Sequence, residues 1–191
     1  MRCFIALDLL PAPGPAMEDW LDALRGHADL SVPPPENLHL TLAFLGELDP
    51  VGASHATEAL AATARLHGPW DVEWGEAGAF PSLARPRVLW LGIVDDGPTA
   101  VVGKGLRHEL AARDLPVDDR PLRPHLTVAR VRSAARGPIA GSAMALLDEP
   151  PPLAPSRVTG LVLYESRLGR GPATYVRLAE AAFHAQGPSG A

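Results

Sequence analysis

Apolar runs and helical stripes alternate along the chain in one order, and that order occurs twice. Residues 2–9 (Arg-Cys-Phe-Ile-Ala-Leu-Asp-Leu) form a short apolar run ended by Pro11, Pro13 and Pro15, which predicts a strand. Met17, Trp20, Leu21, Leu24 and Ala28 then recur at helical spacing and predict a helix over 15–29. Pro33-Pro34-Pro35 cannot lie inside a helix. A strand is predicted directly after them at 38–45. Asp49-Pro50 can start a helix running to about 66, and a strand follows at 70–79.

The second pass repeats these elements. Arg87–Val94 reads as a strand, rich in apolar and β-branched residues. Val102, Leu106 and Leu110 mark a helix behind Pro98. A strand at 124–131, a helix from Pro138 to about 148 and a strand at 156–166 follow. A last strand is predicted at 173–182. Pro81 to Pro86 joins the halves, and Glu149-Pro150-Pro151-Pro152 is a stiff connector. The order β-α-β-α-β, twice, with a terminal strand, predicts an α+β fold. It is a duplicated unit with internal pseudo-twofold symmetry. Residues 1–185 are expected to form a single domain, and 186–191 a flexible C-terminal tail.

One phrase marks the repeat. His39-Leu40-Thr41-Leu42-Ala43 returns 86 residues later as His125-Leu126-Thr127-Val128-Ala129. A lone His-x-Thr is a weak signal. Recurrence with Leu between and Ala two places after Thr, at equivalent positions of a repeat, is a stronger one. In a strand, alternate side chains share a face, so each His lies beside its Thr, about 6.6 Å along the chain. Two such strands facing one cleft supply two imidazoles and two hydroxyls. An imidazole titrates near pH 6.5, so one ring can take a proton from water while the other protonates a leaving oxygen. The Thr41 and Thr127 hydroxyls can donate to the nonbridging oxygens of a phosphate. His39 and His125 are therefore the candidate catalytic residues. His27, His55, His67, His108 and His184 fall on predicted helix faces or near chain ends and are read as structural.

Composition narrows the choice. Of 191 residues, 47% are hydrophobic and 20% charged, the balance of a globular chain. No apolar run is long enough to span a membrane. The net charge of −5 argues against broad coating of nucleic acid, though not against holding one terminal phosphate. Arg120, Arg123, Arg130, Arg132 and Arg136 crowd around the second phrase. Cys3 is the single cysteine, which excludes an intrachain disulfide and a cysteine-based zinc cluster; its apolar setting predicts a buried thiol. With no histidine pair on a helix and no carboxylate beside either phrase, neither a metal nor another cofactor is expected. Gly-rich phosphate loops, dinucleotide fingerprints and a Gly-x-Ser-x-Gly elbow are all missing from the sequence. A cytoplasmic monomer is the expectation.

The ordered stretches Met1-Arg2-Cys3-Phe4-Ile5-Ala6-Leu7-Asp8, Asn37–Glu47, Arg85–Gly92, Arg123-Pro124-His125-Leu126-Thr127-Val128-Ala129-Arg130 and Leu163–Gly169 resemble the two-histidine phosphoesterase superfamily. Within it the likeness is to the bacterial and archaeal RNA 2′,3′-cyclic phosphodiesterases, also called 2′-5′ RNA ligases. The resemblance implies a bilobed α+β fold whose antiparallel sheets line a central cleft, with helices outside. It implies opening of an RNA 2′,3′-cyclic phosphate to a 2′-phosphate, with RNA ends or small cyclic-phosphate nucleotides as partners. It implies His125 as general base on water and His39 as general acid, with Thr41 and Thr127 holding the phosphate. It also implies Arg130 as a substrate contact, although strict alternation puts Arg130 on the face opposite His125 and Thr127. A bulge would be needed to turn it inward. Phe44, its counterpart in the first copy, is expected in the core on the same alternation. The residues alone leave other tasks open: 2′-5′ joining of RNA ends, action on another cyclic nucleotide, or a noncatalytic module that binds RNA ends or nucleotides.

Overall fold

The computed structural model describes residues 1–10, 14–95, 97–117, 122–132, 141–167 and 173–184. The strands are β1 (Arg2–Leu10), β2 (Leu30–Ser31), β3 (Leu40–Glu47), β4 (Trp70–Phe80), β5 (Val88–Val94), β6 (His125–Val131), β7 (Ser156–Arg167) and β8 (Thr174–Ala182). The helices are α1 (Pro15–Arg25), α2 (Pro50–Ala64), α3 (Pro98–Ala111) and α4 (Gly141–Asp148). The predicted order therefore holds. Helix α1 stops at Arg25, short of the predicted 29. Residues 186–191, Pro138, Arg120 and Arg136 lie outside the described residues. Two short elements were not predicted: β2, and a 3₁₀ turn at Pro35–Asn37, where Pro35 takes a first-turn position that needs no N–H.

All pairings are antiparallel. One lobe holds the order β3-β1-β7-β8 and the other β6-β5-β4, with β2 on the outer side of β6. The lobes join along two seams. One is the single pair Leu40↔Leu126; the other is Trp70↔Val158, Asp71↔Arg157 and Val72↔Ser156. The sheets expected on either side of a cleft are thus bonded into one curled, eight-stranded sheet.

Strand pairing sharpens the repeat. Leu7 pairs with Leu40, and Leu91 pairs with Leu126. The offset is 86 residues between β3 and β6 but 84 between β1 and β5. Each lobe also borrows a strand. The last strand of the first half, β4, pairs with β5 of the second half, while β7 of the second half pairs with β1.

The core lies between the sheet and the helices. Ile5, Leu7, Leu40, Leu89, Leu91, Leu126, Leu161 and Leu163 point to it and are almost wholly buried. Helix α1 adds Met17, Trp20, Leu21 and Leu24, at the spacing that gives a helix one apolar face. Its Trp20 Nε1 donates to Leu146 O of α4 at 2.8 Å. Helix α2 is capped by Asp49, whose carboxylate accepts from Gly52 N at 2.7 Å. Cys3 is buried as expected, and burial pushes its thiol pKa up. Among the described residues, no helix is long and apolar enough to cross a membrane.

Candidate active site

The two histidines are held alike. His39 sits one residue before β3, and His125 is the first residue of β6. Each Nδ1 lies 2.7 Å from the carbonyl oxygen two residues upstream, Asn37 O and Arg123 O respectively. A carbonyl only accepts, so each Nδ1 carries the proton and each Nε2 is the nitrogen free to gain or lose one. The first carbonyl is itself braced, since Asn37 Nδ2 donates to Ala173 O at 2.8 Å.

Aromatic rings wall both imidazoles. Phe4 lies 4.7 Å from His39 between centroids, and Tyr175 meets His39 edge-on at 5.0 Å. Tyr164 stacks on the other neighbour, Phe4, at 5.1 Å. Both tyrosines of the chain thus stand near this one ring. In the second copy Phe80 is edge-on to His125 at 4.9 Å, and Trp90 lies 6.4 Å away. These five rings were not singled out by sequence. Four sit on predicted strands and Phe80 lies one residue past the strand predicted at 70–79, but which face each takes depends on cross-strand register.

Burial pushes both imidazole pKa values below their ordinary range. For His39, the hydrogen bond to Asn37 opposes the shift, and the positive charges of Arg130 and His125 reinforce it. For His125, the bond to Arg123 opposes burial and the Arg130 guanidinium adds to it. Arg130 therefore acts on both rings. A phosphate anion between them has the opposite effect and favours protonation.

A cavity of about 260 Å³ opens here, lined by Ser31, Pro33, Asn37, His39, Thr127, Arg130, Ala173 and Tyr175. Its wall brings His39 of one copy to Thr127 and Arg130 of the other. Thr41 and Thr127 are each half-buried.

Arg130 reaches this cavity because of a bulge. Leu89 pairs with Ala129 and Trp90 with Thr127, so Val128 has no partner. The extra residue reverses the alternation: Val128 and Ala129 are both fully buried, and Arg130 returns to the face of Thr127. The first copy carries the same bulge. Ile5 pairs with Ala43 and Ala6 with Thr41, leaving Leu42 unpaired. Phe44 is thereby turned out of the core in which alternation placed it. It is 58% exposed, with its ring 6.2 Å from that of Phe4 on the histidine face.

The other histidines stay apart from this cavity. His55-Ala56-Thr57 is a third His-x-Thr, but it lies within α2, where Thr57 Oγ1 donates to Ala53 O at 2.9 Å. Residues two apart on a helix do not share a face, so this triplet cannot form a His-Thr pair. Among the described residues no group of three His, Cys, Asp or Glu side chains could hold a metal ion.

Comparison with known proteins places the chain in a family. Residues 13–170 match the model of the 2′-5′ RNA ligase superfamily. The RNA 2′,3′-cyclic phosphodiesterase of Archaeoglobus fulgidus is 30% identical over 132 residues, covering 69% of this chain and 73% of that protein. The protein of the same name from Thermus thermophilus is 31% identical over 147 residues, covering 71% of each. Among solved structures, TT0787 of Thermus thermophilus superposes with a TM-score of 0.74 at 26% identity, covering 96% of this chain and 98% of that one. Escherichia coli LigT complexed with 3′-AMP gives 0.70 at 26% identity, covering 95% and 97%.

Proposed function

The chain belongs to the 2′-5′ RNA ligase superfamily, and we propose that its cleft opens RNA 2′,3′-cyclic phosphate ends to 2′-phosphates by paired histidine acid–base catalysis. The observation that carries this reading is the matched pair of His-Thr sets. Each histidine is fixed through Nδ1 to a carbonyl at 2.7 Å, with its Nε2 left to move a proton. That the LigT neighbour is solved with 3′-AMP supports a nucleotide in the equivalent cleft.

The reaction needs two proton transfers on opposite sides of one phosphorus. One Nε2 removes a proton from water as the new P–O bond forms. The other gives a proton to O3′ as the P–O3′ bond breaks, leaving the 2′-phosphate. Likeness to the superfamily assigns the first role to His125 and the second to His39. Both rings are neutral-leaning in the free protein, and the bound phosphodiester anion restores the proton on the acid. Thr41, Thr127 and Arg130 would hold the nonbridging oxygens, where hydrogen bonds strengthen as charge builds. Joining of RNA ends through a 2′-5′ bond is related chemistry run in reverse, with the histidine roles exchanged.

The test is an RNA ending in a 2′,3′-cyclic phosphate, incubated with the protein in excess chelator. A 2′-phosphate end is expected, and His39→Ala and His125→Ala should each lose at least about 10²-fold in rate while still folding. Turnover only on adding metal, a 3′-phosphate product, or either variant keeping the wild-type rate overturns the reading.

A further inference from the structure

The site is twofold symmetric down to its bulges, and that symmetry poses a problem for a substrate. Each copy supplies a histidine tied to a carbonyl at 2.7 Å, a threonine two residues on, and an unpaired bulge residue after it. An anionic centre on the pseudo-twofold axis would meet the same groups from either side. A substrate bound in one direction would make one histidine the acid, and turned around it would make the other.

One equivalent pair of exposed, projecting residues breaks the symmetry. Phe44 pairs across the strands with Phe4, and Arg130 pairs with Val88. Under the offsets of 86 for β3 and β6 and 84 for β1 and β5, these two pairings coincide. Phe44 and Arg130 thus occupy one structural position in the two copies, five residues after each histidine. One is a flat, exposed apolar ring; the other is an exposed cation on the cavity wall.

We propose that Phe44 and Arg130 form a polarity lock that sets which way a nucleotide lies in the cleft, and so which histidine acts as acid and which as base. This rests on the hydrolytic reading above. A nucleotide is itself polar: its base presents a flat π face and its phosphate an anion. Guanidinium and phosphate match by charge and by forked geometry, and an exposed ring suits an unpaired base. Turned around, the nucleotide keeps its phosphate on the axis but moves its base from Phe44 to Arg130, which gives up the ring stack and crowds the guanidinium away from the phosphate. Other differences between the copies, among them the aromatic walls, Arg123 in place of Asn37 and an unpaired Leu45 in the first copy, are left unchanged by these substitutions.

The acid is recognised by leaving group. Adenosine 2′,3′-cyclic phosphate expels an alkoxide that needs a proton. The phosphodiester 3′-deoxyadenosine 2′-(4-nitrophenyl phosphate) expels nitrophenolate, which does not. In the wild-type background, alanine at the acid histidine should lose about 10²-fold or more on the cyclic ester and under about 10-fold on the nitrophenyl ester. Alanine at the base histidine should lose about 10²-fold on both. In the double exchange Phe44→Arg with Arg130→Phe, the tolerant position should move to the other histidine. In Phe44→Arg alone, which makes the two copies alike, both histidine variants should become tolerant on the nitrophenyl ester. Both exchanged side chains are exposed, so the thermal transition should be kept; if the double exchange does not fold, Phe44→Arg alone decides between the outcomes. A tolerant histidine that stays the same in the exchanged proteins overturns the lock while leaving the hydrolytic reading intact. Failure of the wild type to turn over either ester overturns the hydrolytic reading itself, and the lock with it.

Discussion

Gly78→Ala should damage the site through Trp90, a side chain outside the cavity lining. Gly78 pairs with Trp90 across β4 and β5, and the indole lies flat over the space where a Cβ would stand. An added Cβ would be 2.8 Å from Cη2 and 2.9 Å from Cε2, and closer still to Cζ2. To regain ordinary contact at 3.4 Å the indole must retreat by roughly 0.6 Å or more. Nothing but packing opposes that movement, because Trp90 Nε1 is buried without a hydrogen-bond partner among the described residues. Overpacking of this kind costs about 1–3 kcal/mol, offset by about 0.4–1 kcal/mol because alanine restricts the unfolded chain. A net loss of about 1–2 kcal/mol lowers Tm by about 2–8 °C in a chain of this size.

The indole also lies 5.3 Å from Phe80, which is edge-on to His125, so the shift reaches the imidazole. A misplacement approaching 1 Å costs up to about 10²-fold in rate. The assay is thermal unfolding together with kcat/KM on a cyclic phosphate, for Gly78→Ala, Trp90→Leu and the double variant. With the indole gone the Cβ has room, so the two changes should be strongly non-additive in stability. Additivity within about 0.5 kcal/mol would refute the reasoning.

Thr41→Val and Thr127→Val should each lower kcat by about 10²-fold with little change in Tm, as removal of a donor to a developing charge does; steady-state kinetics and unfolding check this. Both imidazole pKa values are lowered, so the acid limb of kcat/KM should have its midpoint below about 6.5, activity falling as pH drops and the base becomes protonated. Arg130→Gln removes a positive charge that opposes protonation of both rings, so NMR titration should show His39 and His125 moving up, never down. Asp49→Ala deletes the α2 cap and should cost about 0.5–2 kcal/mol in denaturant unfolding while leaving kcat/KM at the wild-type value.

The order of elements was legible because it rests on local pattern. Proline and capping signals bounded α2 and α3, and apolar runs marked β1 and β5. The His-x-Thr phrases were legible because they recur at one offset. What a single strand's pattern does not carry is its neighbour's register. Alternation along β3 sends Phe44 into the core and alternation along β6 sends Arg130 away from His125. Both assignments reverse because Leu42 and Val128 lack a partner across the ladder. Sheet membership is invisible for the same reason: β4 and β7 have the sequences of ordinary strands, and only pairing shows that each joins the other half. The aromatic walls of the histidines follow from those pairings too.

That exchange of strands has a consequence for how the protein is made. In β1, Cys3 pairs with Glu165 and Leu7 with Leu161, while its other neighbour, β3, is close in sequence. A chain emerging from the ribosome releases β1, α1 and the first histidine early. Their lobe then lacks its β7 and β8 edge until all the other elements of the fold have been synthesised. Contacts of such long sequence separation form slowly and leave strand edges exposed in the meantime. The braces around His39 come just as late: Tyr164, Tyr175 and the Ala173 carbonyl all lie in or beside β7 and β8. A nascent chain halted after β6 would carry both His-Leu-Thr phrases and still have no assembled site.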